Sequence, residues 1–302
     1  MKLPVIAVVG SLNMDLVVSV HRLPRIGETM AGTSIDYIPG GKGANQAVGA
    51  ARLGADVSMI GAVGGDDFGS RIINSMEGFG VNISAIAVNP EAPTGTATIL
   101  RTKEDNSIVI VAGANGTCTP ESIEANASAI QNADIVLVQL EIPIPAVEAA
   151  LRIAKASGVP TVLNPAPACA LSDELIGLAD YFTPNETEFE FFSGYASASE
   201  SELFKRMHEW HERYGHTLIV TRGEAGVSCL SAGVLTTVPA TLVTPIDTTG
   251  AGDAFNAAFS FGIASGWEIS RSLTFAVKSA TLSVQKFGAQ DGMPTIEEVG
   301  YA

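Results

Sequence analysis

The segment Asp247-Thr-Thr-Gly-Ala-Gly-Asp253-Ala-Phe-Asn places two glycines and then a carboxylate at the start of an apolar run that continues to about residue 263. If that run is a helix, its first N–H groups lack intrahelical acceptors and its dipole makes that end weakly positive. Gly250 and Gly252 let an anion approach those donors closely, which suits a phosphoryl group. Asp253 then stands beside the anion, where a group that accepts a hydroxyl proton is needed. A G-A-G-D run alone is equally an ordinary helix N-terminus with a glycine-rich lead-in. In chemical terms it is a phosphate cradle with a built-in base, the parts of a kinase acting on a small alcohol.

Other polar constellations extend this reading. Gly40-Gly41-Lys42-Gly43-Ala44-Asn45-Gln46-Ala47 opens a second helix. It is not a P-loop, because that motif needs Ser or Thr after the lysine and this chain has Gly43. No G-x-G-x-x-G follows the first apolar run, so a dinucleotide fingerprint is excluded as well. The paired glycines allow backbone to approach a ligand, with the Asn45 amide presented from the first turn; a plain strand-to-helix turn is the alternative. Asn13 and Asp15, two apart, fall on one side of an extended chain. An ionised Asp accepts two hydroxyl protons and Asn both donates and accepts, so the pair suits adjacent sugar hydroxyls, or else marks a surface turn. Thr183-Pro-Asn185-Glu-Thr-Glu188 has capping-box spacing, and its polar groups could also organise magnesium-bound waters. Thr221-Arg-Gly223-Glu-Ala-Gly226 reads as a turn that brings backbone near a nucleotide. His208 and His211 lack H-E-x-x-H spacing and fit a solvated amphipathic helix, while His21 and His216 have no evident partner.

Elements must bring these segments together. Residues 5–10 form a continuous apolar run, as in a central parallel strand. Helical patterns at 44–53, 68–79, 120–130, 145–157, 186–192, 200–214, 251–265 and 269–284 alternate with strand-like runs at 57–63, 135–140, 161–163 and 218–221. Residues 227–230 and 234–238 form a hairpin around Ala232-Gly233. This succession predicts an α/β fold, a doubly wound and mostly parallel sheet flanked by helices. Ligands of such sheets bind beyond the carboxyl ends of the strands, where the turns after Gly10, Leu140, Leu163 and Thr221 lie. Four β-rich pieces, 16–20, 28–38, 94–102 and 107–112, predict a separate small sheet, the last two being split by a turn at Lys103-Glu-Asp-Asn106. That sheet would be a lid inserted from about 12–38 and 94–113 into a single domain spanning 1–302.

Composition narrows the function classes. Apolar residues make up 46% and aromatics only 6%, which suits helices packed closely on a parallel sheet. A formal charge of −15 argues against non-specific binding to nucleic acid or to an anionic membrane. It does not forbid an anionic ligand held by local dipoles and a few cations. Cys118, Cys169 and Cys229 are far apart and odd in number, which points to a reducing, cytoplasmic setting. The first apolar run is interrupted by Asn13 and Asp15 before a signal-peptide core is complete, and no uncharged window nears about 18 residues.

Four of these pieces occur in order: Gly40-Gly-Lys-Gly-Ala-Asn-Gln-Ala47, Asn164-Pro-Ala-Pro-Ala168, Thr183-Pro-Asn-Glu-Thr-Glu188 and Asp247-Thr-Thr-Gly-Ala-Gly-Asp253. Together they resemble the ribokinase branch of the PfkB carbohydrate kinases, from Val5 to about Pro294. The resemblance implies a ribokinase-like fold and ATP-dependent phosphorylation of the ribose 5-hydroxyl. By position it makes Asp253 the catalytic base and Gly250, Ala251 and Gly252 the anion hole. It assigns sugar contacts to Asn13, Asp15, Gly41, Lys42, Asn45 and Glu141 together with Asp253, and nucleotide contacts to Asn185, Thr221, Gly223, Gly226 and Gly252. Glu188 would meet Mg²⁺ through water, and K⁺ would sit on Asp247, Thr249, Ser283, Lys286, Gly288 and Gly292, many through main-chain carbonyls. The small sheet would be the family's lid, which often also clasps a homodimer. Two positions depart from the pattern: Val277 stands where the branch often has a histidine beside the adenine, and little chain follows Met293-Pro294 for the usual last helix. Kinases for deoxyribose, fructose or a nucleoside such as adenosine are rivals on the same scaffold. A non-catalytic sugar or nucleotide sensor is a rival of another class, disfavoured by the intact Asp253, Gly250 and Gly252.

Overall fold

The computed structural model describes residues 3–102, 106–196 and 199–300. Along the chain its strands are β1 (Val5–Val9), β2 (Asn13–Ser19), β3 (Ser34–Gly40), β4 (Asp56–Gly64), β5 (Asn82–Asn89), β6 (Gly95–Arg101), β7 (Asn106–Val111), β8 (Ile135–Val138), β9 (Thr161–Leu163), β10 (Tyr181–Phe182), β11 (Thr217–Thr221), β12 (Val227–Ser231) and β13 (Val234–Val238). Its helices are α1 (Lys42–Arg52), α2 (Asp67–Gly78), α3 (Pro120–Glu124), α4 (Ala127–Gln131), α5 (Ile144–Ala156), α6 (Asp173–Ile176), α7 (Glu186–Ser193), α8 (Glu200–Tyr214), α9 (Ala251–Ala264), α10 (Ile269–Ser283) and α11 (Ile296–Val299).

Nine strands form one sheet in the order β13-β12-β11-β10-β9-β8-β1-β4-β5, parallel from β5 through β11 and antiparallel beyond. The chain proceeds from β1 through β4 to β5 on one side and from β8 to β11 on the other. The reversal therefore falls between β1 and β8, and their carboxyl ends flank the crevice where such sheets bind ligands. All of β8 and all but the first residue of β1 are buried, because helices cover both faces. On one face Val136 and Val138 share a core with Leu151 of α5 and Trp210 of α8; on the other Ile6 and Val8 share a core with Phe259 of α9 and Leu273 of α10. α9 is buried from Asp253 to Gly262, as expected of a helix that is apolar nearly all round.

The second sheet, β3-β2-β6-β7, comes from two excursions of the chain, 13–40 and 95–111. β2 runs antiparallel to β3 and parallel to β6, and β6 runs antiparallel to β7. Its own core is small, built on Val17, Ala97 and Ile99.

Several elements differ from the expectations of the sequence. The helix expected over 120–130 is two short ones, α3 and α4. Asn126 leaves helical geometry and its Nδ2 donates to the Ser122 carbonyl at 2.9 Å, a local bond that competes with the helix ladder. The 28–38 piece is strand only from Ser34. β5 and β10 are additional: β5 is a half-exposed edge strand with little apolar contrast, and β10 has two residues fixed by pairing to β9 and β11. The short tail after Pro294 does hold a helix, α11, started by a Thr295–Glu298 capping box. His216 has partners: Trp210 Nε1 donates to its Nε2 at 2.8 Å and its ring stacks on Phe182, while burial lowers its pKa to about 4. His211 is not simply solvated either, since its Nδ1 lies 2.9 Å from the His216 carbonyl. The expected turn at Lys103-Glu-Asp-Asn106 lies, through residue 105, outside the described residues.

Candidate active site

The N-termini of α1 and α9 meet at the crevice. α9 follows Gly250, whose φ of 79° is a left-handed conformation that favours glycine, and no side chain caps it. With no side-chain cap its leading turn can meet an anion, the Ala251 N–H donating to the Thr248 carbonyl over a long 3.3 Å. A Cβ on Gly252 would meet nothing within 4 Å, so open space lies against this turn. α1 starts similarly after Gly41 (φ 89°), where a Cβ would fall 2.8 Å from the Asn13 nitrogen. Glu141, in the turn after β8, accepts from the Lys42 N–H at 3.1 Å and from the Ser11 hydroxyl at 2.6 Å.

Asp253, in the first turn of α9, is 6% exposed. Its partners are neutral amides: Asn45 Nδ2 donates to Oδ2 and Gln46 Nε2 to Oδ1, both at 2.9 Å. Burial raises its proton affinity, Lys42, Asn45 and Gln46 oppose the rise, and Glu141 adds to it. Lys42 stands among four carboxylates. Burial works against its charge, yet Asp253, Glu141, Glu188 and Asp15 more than offset that and lift it above the ordinary lysine value. Asp15 is raised to about 7 by burial first, then by Glu141 and Asp253, with Lys42 pulling the other way. Glu188 is also raised by burial, against its bond from the Asn185 N–H and the nearby Lys42.

Two cavities share the turn at Ala251-Gly252. One, of about 180 Å³, is polar and lined by Lys42, Asn164, Asn185, Glu188, Asp253 and Asn256 among others. The other, of about 270 Å³, is apolar and runs from Gly223 and Gly226 past Leu242 and Phe255 to Val277 and Val284. Thr221, Thr248, Ala251 and Gly252 line both.

The structure gathers Asn13, Asp15, Gly41, Lys42, Asn45 and Glu141 with Asp253 around the start of α1, although only Lys42 and Asp253 line the polar cavity. Asn13 Oδ1 accepts from Asn115 Nδ2 at 2.7 Å, and Asn115 also brackets the Leu12 backbone. Asn185 and Glu188 form a reciprocal capping box with both bonds at 2.8 Å and also line the polar cavity. Thr221, Gly223, Gly226 and Gly252 line the apolar cavity. Val277 lines it too, giving it an aliphatic wall.

The residues expected around a monovalent cation are also neighbours. Asp247 accepts from the Thr249 N–H at 2.9 Å and the Gly288 N–H at 3.1 Å. A Cβ on Gly292 would fall 2.5 Å from the Gly288 carbonyl oxygen and 3.2 Å from that of Ser283. The carbonyl oxygens of Gly288 and Ser283 thus lie beside Gly292, and that of Gly288 accepts the Gly292 N–H at 2.8 Å. The Lys286 ammonium pairs with Glu298 at 2.5 Å, so only its backbone could join such a site.

Sequence reasoning gave no role to Gln46, Gln139, Asn115, Asn256 or Gln290, all of them buried. Asn256 accepts from the Thr183 hydroxyl at 2.6 Å and donates to the Gly252 carbonyl at 2.8 Å, fastening the first turn of α9. For Gln46 and Asn256 the one available signal was a polar residue within an otherwise Ala/Gly or apolar helix, which does not say what that residue faces; Gln139, Asn115 and Gln290 lie outside such helices and gave none.

An α/β sheet whose crevice holds a helix N-terminus without a side-chain cap and a buried carboxylate fits the phosphotransferases that act on small molecules. The chain belongs to the pfkB family of carbohydrate kinases, whose model matches residues 4–296. It is 43% identical to the ribokinase of Bacillus subtilis (strain 168), covering 97% of each chain, and 34% identical to the deoxyribokinase of Salmonella typhi, covering 97% of this chain and 96% of that one. The structure of Arabidopsis thaliana ribokinase complexed with ribose and ATP matches with a TM-score of 0.92 at 32% identity over the whole of both chains. Among the described residues no helix is long and apolar enough to cross a membrane.

Proposed function

We propose that the chain transfers the γ-phosphoryl group of ATP to the 5-hydroxyl of D-ribose, giving ribose 5-phosphate. The observation that carries this reading is the shared wall of the two cavities. An apolar slot suited to a nucleobase and a polar pocket holding Asp253 adjoin at Ala251-Gly252, so a phosphoryl group passing between them crosses the open amides of α9. Asp253 accepts the hydroxyl proton as that oxygen attacks in line, and a carboxylate suffices because the transition state of such transfers is loose. The amides at Gly250, Ala251 and Gly252, with Lys42, stabilise charge on the transferring oxygens. We assign Asn13, Asp15, Gly41, Lys42, Asn45 and Glu141 to the sugar, and Asn185, Thr221, Gly223, Gly226 and Gly252 to the nucleotide.

Mg²⁺, held through water by Glu188, would supply charge neutralisation on the phosphates. Carbonyl oxygens of Ser283, Lys286, Gly288 and Gly292, with Asp247 and Thr249, would hold K⁺. We further infer a cytoplasmic homodimer: the three unpaired cysteines suit a reducing compartment, and the lid offers an apolar edge.

A coupled ADP-release assay across ribose, deoxyribose, fructose and adenosine tests the substrate, with ribose expected to give the highest kcat/KM. Activity on none of them would promote the sensor. The same assay with sodium in place of potassium tests the cation. Asp253→Asn is expected to lower turnover by roughly a hundredfold or more while sugar binding stays measurable. Near-normal turnover would reject Asp253 as the base.

A further inference from the structure

Gln46 is fully buried in α1 and reaches neither cavity, yet it touches Asp253. Its Nε2 donates to Asp253 Oδ1 at 2.9 Å and to Asn164 Oδ1 at 3.1 Å, and its Oε1 accepts from Gln139 Nε2 at 2.5 Å. Donor and acceptor ends follow from the partners alone. The series starts at the Thr183 backbone carbonyl, which can only accept. Asn164 must therefore donate its Nδ2 there, at 3.1 Å, and turn Oδ1 toward Gln46. Gln46 must then offer one N–H to Asn164 and the other to Asp253, leaving Oε1 for Gln139. Turning this amide over would set its oxygen against two acceptors at once. Its direction is fixed by the backbone of the β10 end, whatever the charge on Asp253. The other carboxylate oxygen is held by Asn45, whose Oδ1 accepts from Gln290 Nε2 at 3.2 Å.

We propose that Gln46 is a positioning residue for Asp253, a donor unable to turn away that fixes the plane of the carboxylate. The inference rests on Asp253 being the base of the reaction. One direction at each carboxylate oxygen is filled by a donor, so the proton taken from the sugar hydroxyl enters on a lone pair facing the polar cavity. Lys42 from α1, Glu141 from the turn after β8, Asp15 from β2 and Glu188 from α7 also act on this carboxylate and stay unchanged in the test.

The test uses the full chain labelled with ¹³C at aspartate carboxyls, the Asp253 resonance being assigned by its loss in Asp253→Asn. Gln46→Met keeps the length and volume but has no donor. The Asp253 midpoint and the acid limb of kcat/KM are both expected to rise by about one pH unit. Activity should recover toward alkaline pH, with the sugar KM there moving less than about twofold. Gln46→Glu, whose oxygens face Asp253 and Asn164, should raise both further. Should Gln46→Met fail to fold, the wild-type chain decides, because the Gln46 side-chain NH₂ signals should titrate at the Asp253 midpoint. An unmoved midpoint in folded Gln46→Met, with activity lost equally at every pH, overturns the proposal, as do Gln46 signals indifferent to Asp253. Near-normal turnover in Asp253→Asn would remove the base assignment instead, a separate outcome.

Discussion

Gly250 and Gly252 look equivalent in the string Gly-Ala-Gly-Asp, but the fold uses them differently. Gly250 has φ 79° and a Cβ there would sit 3.0 Å from the Cβ of Ala289. An alanine at 250 should cost about 1–2 kcal/mol for the left-handed backbone. Gly252 has no positive φ and open space where its Cβ would be. Gly252→Ala should therefore leave stability unchanged or raise it by up to about 1 kcal/mol, since alanine is the better helix residue. The added methyl group would occupy the volume through which a phosphoryl oxygen reaches the amides, so kcat should fall at least roughly tenfold, about 1.4 kcal/mol of lost transition-state stabilisation. Thermal melts and steady-state rates on the same variant check the opposite signs; an unchanged kcat would take the anion site away from this turn. The motif was legible in the sequence because Gly, Gly and Asp at the head of an apolar run have few joint explanations. The division of labour was not, because the contact of Gly250 with Ala289, far along the chain, and the open space beside Gly252 exist only once the chain has folded.

Between elements, Asp66 shows how the second sheet is tied to the main body. It caps α2 by accepting from the Gly69 N–H at 2.9 Å, and it also accepts from the Thr94 N–H at 2.8 Å and the Thr94 hydroxyl at 2.5 Å. Thr94 immediately precedes β6, and its Oγ1 accepts in turn from the Gly64 N–H at the end of β4 at 3.0 Å. One carboxylate thus ties the main sheet, α2 and the entrance to β6. Burial raises its proton affinity, but the Thr94 and Gly69 bonds more than offset that and hold it below the ordinary aspartate value. A lowered carboxylate pKa gives stability that is present above the unfolded value near 3.8 and lost as pH falls through the folded value. Asp66→Ala should cost about 1–3 kcal/mol in denaturant melts, and hydrogen exchange in β6 should speed up together with that in α2. Exchange confined to α2 would reduce Asp66 to a simple cap. The helix over 68–79 and the four lid pieces were legible from period and β-branching. That β2 pairs in parallel with β6, and that Asp66 anchors the pair, was not, because no local pattern states which distant strand becomes a neighbour.

For the molecule as a whole, a net charge of −15 keeps copies apart over most of the surface, so any self-association must concentrate where charge is absent. β7 is such a place. It lies at the end of the small sheet, and Ile108, Val109, Ile110 and Val111 are 46–63% exposed. Consecutive strand residues point to opposite faces, so both faces of this edge are apolar and its outer hydrogen-bonding groups face no strand among the described residues. The run Ser-Ile-Val-Ile-Val was legible as a strand; its place at an edge was not, since an edge is a property of sheet order. In the proposed homodimer a second copy would cover this surface, an isologous contact burying four apolar side chains from each partner. The wild-type chain should sediment as a dimer at micromolar concentration. Val109→Lys, at a position 63% exposed, should yield a monomer whose melting temperature changes little, whereas Val109→Thr should remain a dimer. A wild-type monomer, or a Val109→Lys dimer, would place the contact elsewhere or remove it. If the small sheet acts as the proposed lid, monomerisation should loosen it and raise the sugar KM more than it lowers kcat, a split that loss of Asp253 or Gly252 function would not produce.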